Sequence, residues 1–271
     1  MRYIFPVFGL LAVATLAGCP RQRDETFTRA EAQEALEEAQ GSAASEDLMV
    51  ASVEVSTSFT IGGAVEQAAS ELRSFVASQL PCAAVTLEGA TLTVVYGALP
   101  GNCTYRGHEF SGTTIVSVDA NSASDVRVHH EWIGFSNGVV ALDGTADVTW
   151  SLDARERHVA HRAEWTHLAT GRTGAGEGDR VQRPLPGGIE EGFVVDGSRS
   201  WTGAPGRTWA LAIDGVEMRW ADPVPQAGSY TLESPAGKTL SLGFARVDAD
   251  TIAVTVTGPR GRAFSFDVNK L

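Results

Sequence analysis

The chain has 271 residues, 43% hydrophobic and 20% charged, with 29 Gly, 11 Pro and 3 Cys; 33 Asp and Glu against 21 Lys and Arg give a formal charge of −12. This length holds one large β domain or two smaller ones, and the apolar fraction is too high for a disordered chain. The acidic balance argues against nucleic acid, because phosphate binding needs clustered Lys and Arg, and no apolar run reaches the ~18 residues of a transmembrane helix.

Arg2 supplies a positive charge ahead of Ile4–Leu16, an apolar stretch of thirteen residues interrupted by Pro6, Gly9 and Thr15. That stretch is too short to span a bilayer and has the length of a signal-peptide core. Leu16-Ala17-Gly18-Cys19 follows it. These four residues resemble the lipobox of bacterial lipoproteins; an ordinary signal peptide with a chance cysteine is the alternative. The resemblance implies that residues 1–18 are a signal peptide removed before Cys19, and that Cys19 is lipidated. A single acyl chain gives only marginal membrane binding, whereas two or three chains at ~0.8 kcal/mol per buried CH₂ hold a protein almost permanently. Cys19 would thus be an anchor and not a catalyst. Pro20, in place of an Asp after the cysteine, implies the outer membrane by the family's sorting pattern, facing the periplasm. Residues 19–27 read as a lipidated tether, and the eight residues from Pro20 to Phe27 reach at most about 28 Å when extended.

Residues 28–81 read as a helical segment. Thr28-Arg29-Ala30-Glu31 fits a capping box, with Ala32, Ala35, Leu36 and Ala39 at helical spacing behind it. Gly41-Ser42 either ends or weakens this helix. Leu48 to Phe59 suits either period. A second helix is predicted from Ile61 to Leu80, on the apolar stripe Val65, Ala68, Leu72, Phe75 and Val76, and Pro81 stops it.

With Cys19 lipidated, Cys82 and Cys103 remain, an even remainder that suggests a disulfide in an oxidising compartment. From residue 83 onward the period is two. Val126, Val128, His130 and Trp132 form one line, and Ala146, Val148, Trp150 and Leu152 another. Joining them through a three-residue loop with Gly138 left-handed sets Trp132 opposite Leu142, Val128 opposite Ala146 and Arg127 opposite Asp147. Turn signals recur at Asp153–Glu156, Ala169–Gly178, Pro184–Gly192, Gly203–Arg207, Asp214-Gly215, Ala221–Gly228, Ser234–Gly237, Asp248–Asp250 and Gly258–Gly261. The predicted fold is mainly β. Residues 82–271 form an antiparallel meander, built as a curled sheet, a sandwich or a barrel, with the helical segment packed on it.

Several segments invite a chemical reading. Gly134-Phe135-Ser136-Asn137-Gly138 matches G-x-S-x-G, but a nucleophile elbow needs a helix after the serine and a strand follows here. His130 and His161 fall on the apolar side of strands flanking Thr145–Leu152, where they could approach each other as weak metal candidates; the alternative is two hydrogen-bonded histidines at a core margin. Gly171–Gly178 lacks the Gly-Lys-Ser/Thr of a phosphate loop and reads as a mobile hairpin loop. Trp132, Trp150, Trp165, Trp201, Trp209 and Trp220 line either a sugar- or lipid-binding groove or the core.

Beyond the lipobox, the stretch from Gly101-Asn102-Cys103 to Ser111-Gly112, and Asp196-Gly197-Ser198-Arg199-Ser200-Trp201, diffusely resemble uncharacterised myxobacterial lipoproteins, a likeness that implies no activity. The expectation is a lipid-anchored envelope lipoprotein without catalytic residues or cofactor, in a structural role or binding a protein, glycan or lipid. An apolar-ligand carrier, with the sheet as a cup and the helices as a lid, is the rival reading. A serine hydrolase built on Ser136 is a distant third.

Overall fold

The computed structural model describes residues 26–105, 107–203, 205–219 and 224–269. The proposed signal peptide, Cys19 and Trp220 lie outside the described residues.

Helix α1 (Arg29–Val55) starts at the predicted capping box: Glu31 N–H donates to Thr28 Oγ1 at 3.2 Å and Thr28 N–H donates back to Glu31 Oε2 at 2.8 Å. Gly41-Ser42 does not end it. One glycine costs about 1 kcal/mol against alanine, less than the burial of Leu48, Met49 and Val53 beyond it supplies. Helix α2 (Val65–Gln79) is shorter than predicted, and buries Ala68, Ala69, Leu72 and Val76 on one face.

The strands are β1 (Ala84–Glu88), β2 (Thr91–Tyr96), β3 (Thr104–Tyr105), β4 (His108–Glu109), β5 (Ser111–Asn121), β6 (Asp125–Ser136), β7 (Val140–Ser151) and β8 (Glu156–His167). They continue as β9 (Arg172–Leu185), β10 (Gly188–Gly203), β11 (Arg207–Arg219), β12 (Ser229–Glu233), β13 (Thr239–Arg246), β14 (Thr251–Thr257) and β15 (Ala263–Asn269). Thirteen of them form one antiparallel sheet in chain order, with β3 and β4 as a separate pair. The sheet ends at β1 and β15, which do not pair with each other, so it is a curled sheet and not a barrel. Cys82 and Cys103 form a disulfide, Cα to Cα 5.3 Å, fixing the exit of α2 to the chain just before β3.

The sheet curls around α1. At the N-terminal end Phe27 packs on Phe264 and Arg29 lies over Phe266, both in β15. At the other end Trp132 of β6 donates its Nε1–H to Ser52 at 2.9 Å. The 27-residue helix is about 40 Å long at 1.5 Å per residue, and crosses the concave face from the last strand to β6. Buried positions occur in runs, such as Leu48-Met49 and Ala51-Ser52-Val53, so more than one side of α1 is covered. A helix lying in a trough has no single apolar stripe, and this is why its last two turns, from Leu48 on, suit either period in the sequence. Phe27, read from sequence as the end of a tether, is 2% exposed and belongs to the core.

Three strand expectations are corrected. The β6–β7 register is shifted by two residues: Trp132 faces Gly144, Val128 faces Val148, Arg127 faces Thr149, and Asp147 faces His129. The inward face is unchanged, because a two-residue shift preserves parity. The cause is a two-residue Gly138-Val139 loop, closed by Asn137 N–H to Val140 O at 3.2 Å with Gly138 at φ +82°, plus a bulge at Ile133-Gly134. Arg172 to Gly178 is not a loop but the first half of β9. Asp214-Gly215 lies within β11 as a bulge, two residues opposite the single Asp196 of β10, and Gly215 N–H donates to Asp196 Oδ1 at 2.7 Å.

Candidate functional site

The interface between α1 and the trough combines apolar packing with charge. Leu48, Met49, Val53 and Val55 of its C-terminal half are buried in the core. Ion pairs run along the whole helix. Lys238 Nζ donates to Glu31 at 2.6 Å, Arg207 pairs with Glu34, and Arg172 donates to Glu37 at 3.1 Å and to Glu38 at 2.5 Å. Glu46 pairs with both Arg180 and Arg199, and Glu54 accepts from Arg157 at 2.6 Å. Arg180 and Arg199 point inward from β9 and β10, and burial pushes each guanidinium down to about 10. Sequence reasoning missed these arginines. The available signal was parity: Arg180 follows Gly174, Gly176 and Gly178 on the inward register of β9, Arg199 stands between Gly197 and Trp201 on that of β10, and the acid that meets both, Glu46, lies on the opposing helix.

The inward glycines of β9 leave room for ring systems from its neighbours. A Cβ at Gly174 would lie 2.5 Å from Trp165 Cζ2, one at Gly176 2.8 Å from Trp201 Cβ, and one at Gly178 2.4 Å from His161 Cε1. The Gly-x-Gly-x-Gly spacing is therefore strand chemistry, with glycine at alternate positions on one face.

Between this floor and the middle of α1 lies a cleft of about 500 Å³. Trp165, Trp201 and the buried Glu38 lie on its inner side, and Glu37, Gln40 and Arg172 on its rim. Trp201 Nε1–H donates to the buried Glu38 carboxylate at 3.3 Å. His167 also lines the cleft, and its Nδ1 is buried without a hydrogen-bond partner among the described residues. Gly41 faces the cleft from the helix side, and a Cβ built there meets nothing within 4 Å. A second depression, of about 540 Å³, lies mainly on the outward face. Its floor is Ala160, Ser198 and Ser200, and its flanking charges are paired with each other: His129 to Asp147 at 2.7 Å, His158 to Asp179 at 2.5 Å and Arg162 to Glu177 at 3.5 Å.

His130 and His161 do not meet. Both stand opposite Ala146, from strands on either side of it, so their backbones are about 10 Å apart at two strand spacings. His130 is fully buried, stacks on Trp132 and has Ser56 Oγ 3.4 Å from its Nδ1. Burial, with smaller contributions from His129 and Arg157, pushes its pKa down to about 3. Burial and then the Arg199 charge push His161 down to about 4. Among the described residues no group of three His, Cys, Asp or Glu could hold a metal ion. Ser136 stands at the end of β6, followed by a hairpin, and its Oγ accepts from Gly138 N–H at 3.0 Å. His108, the histidine nearest the cysteines in sequence, stacks on Phe110 and lies 3.6 Å from Asp47. Of the tryptophans, Trp132, Trp201 and Trp209 are buried to 3% exposure or less, whereas Trp150 is half-buried in the trough.

No family model, curated protein or solved structure matches this chain.

Proposed function

We propose that this is a lipid-anchored envelope protein of the outer membrane, tethered through Cys19 and facing the periplasm, whose role is to bind and not to catalyse. The observation that carries this reading is the cysteine arrangement. Leu16-Ala17-Gly18-Cys19 ends an apolar leader, and the other two cysteines are joined to each other, which suits an oxidising compartment. The position of Phe27 is consistent with it. Phe27 packs against Phe264 and Gly258 at the β15 edge, so a membrane anchor eight residues earlier would hold that edge next to the lipid surface.

The filled trough favours a binding module over a carrier of apolar ligands. An empty, dry cup would be required for the carrier, and α1 occupies that space with Leu48, Met49 and Val53. Mass spectrometry of the native protein and membrane fractionation of wild type against Cys19→Ser test the anchor. The reading expects an acylated N-terminal cysteine and release of the Cys19→Ser protein from membranes. An unmodified terminus, or an uncut leader, would overturn it.

A further inference from the structure

We infer that the end of the sheet at which α1 enters is a membrane-docking rim, whose hairpin tips rest on the surface of an anionic phospholipid bilayer. This deepens the anchoring reading and rests on it, because the anchor fixes which end of the molecule meets lipid. Successive strands alternate in direction, so every second turn leaves the sheet at the same end. The β6–β7, β8–β9, β10–β11, β12–β13 and β14–β15 turns share one end. Phe27 is seated beside the last of them, against Gly258 and Phe264. The chain leading back to Cys19 therefore departs from this end.

Charge separates the two ends. The tip segments 137–139, 168–171, 204–206, 234–238 and 258–262 contain no Asp or Glu. Arg29, the first residue of α1, and Arg260 and Arg262 of the last turn are exposed. Arg29 and Arg262 stand over the Phe266 and Phe264 rings, and neither is ion-paired among the described residues. A guanidinium over a ring keeps its N–H edge for other acceptors, such as phosphate oxygens. The helix gains nothing from Arg29, since its dipole disfavours a cation in the first turn. Glu31 and Glu34, the acids of α1 nearest this end, are matched by Lys238 and Arg207. Turns at the opposite end carry Glu88, Asp153, Asp248 and Asp250 in or beside them. On a chain of formal charge −12, the acid-free end is the one an anionic surface can approach. Each arginine within a Debye length of such a surface strengthens attachment by about fivefold.

The same end exposes aliphatic tips. Val139 and Leu168 are 41% and 49% exposed, and Leu168 N–H donates to Val139 O at 2.8 Å, which sets the two tips side by side. Val247, exposed at the far end, is followed by Asp248 and Asp250 instead.

The test uses the acylated protein reconstituted into vesicles of equimolar phosphatidylcholine and phosphatidylglycerol with brominated chains as quencher. Single fluorophores are placed through Val139→Cys and Leu168→Cys at the rim, and through Asp153→Cys and Asp250→Cys at the far end, all exposed positions. Quenching at the rim is expected to exceed that at the far end roughly threefold or more. Arg260→Glu with Arg262→Glu, or vesicles of phosphatidylcholine alone, are each expected to lower rim quenching by about half or more; the lipid exchange decides the matter if the double variant does not fold. Equal quenching at both ends, or rim quenching indifferent to both changes, in protein shown by mass spectrometry to be acylated, would overturn this inference and leave the anchor standing. A blue shift at the rim without quenching would overturn it too, since protein and not lipid would then cover the tips. Absence of acylation would overturn both.

Discussion

The Trp165 indole lies against Gly174, so close that a methyl group built on the glycine would be 2.5 Å from Cζ2 of the ring. Gly174→Ala therefore has to displace a rigid ring in a packed face, and is expected to cost about 1–3 kcal/mol. Gly41→Ala makes the same chemical change in open space within a helix, and is expected to stabilise by about 1 kcal/mol. Urea midpoints of the two variants should move in opposite directions.

Glu46 is the shared counter-charge of Arg180 and Arg199, and all three side chains are buried to 13% exposure or less. Glu46→Gln removes the charge and leaves two guanidiniums uncompensated. The expected loss is about 3–5 kcal/mol. Replacing Glu46, Arg180 and Arg199 together with apolar residues of similar volume is expected to recover most of it. Chemical denaturation of the single and triple variants checks both statements.

His130 and His161 stay neutral in the folded protein down to pH about 3 and about 4, whereas in the unfolded chain they take up protons near 6.5. The unfolded state thus binds more protons between these limits. Stability is fully present above pH 6.5 and falls as pH drops, by up to about 1.4 kcal/mol per unit for each histidine. Unfolding free energies at pH 7 and pH 5 should show this loss, and His130→Asn should reduce its slope. Glu31, Asp196 and Asp248 carboxyls, held low by their hydrogen bonds, enter only below their ordinary range.

The Cys82–Cys103 bridge spans a sequence separation of 21 residues. Its loss in a Cys82→Ser, Cys103→Ser double variant is expected to cost about 3 kcal/mol on the chain-entropy estimate. A thiol assay on denatured, unreduced protein checks the bridge directly: reaction at both positions would contradict it.

The parts of the fold that follow local rules were legible. The capping box at Thr28, the alternation through Val126–Trp132 and Ala146–Trp150, and the cysteine pairing each depend on neighbours in sequence or on simple counting. What was not legible depends on tertiary surroundings. Gly41 leaves α1 intact because distant strands bury the turns on both sides of it. The glycines of β9 resemble a loop until Trp165, Trp201 and His161 are placed over them. The β6–β7 register turned on a bulge at Gly134, whose N–H is taken by the Asp143 carboxylate at 2.7 Å, a contact no periodicity reveals. The cleft escaped the sequence for the same reason: its walls come from residues more than a hundred positions apart, and its opening is made by an absent side chain.

Each strand of the large sheet pairs with its successor in the sheet, and such nearest-neighbour hairpins can zip up progressively, with short loops to close. Helix α1 obeys the opposite logic. Phe27, at the beginning of the described chain, finds Phe264 only near its end. During synthesis the helix's seat is complete only once the final hairpin, with Phe264 and Phe266, has been delivered. Anything that engages α1 during that interval competes directly with completion of the fold, so the first helix to form is the last to be seated.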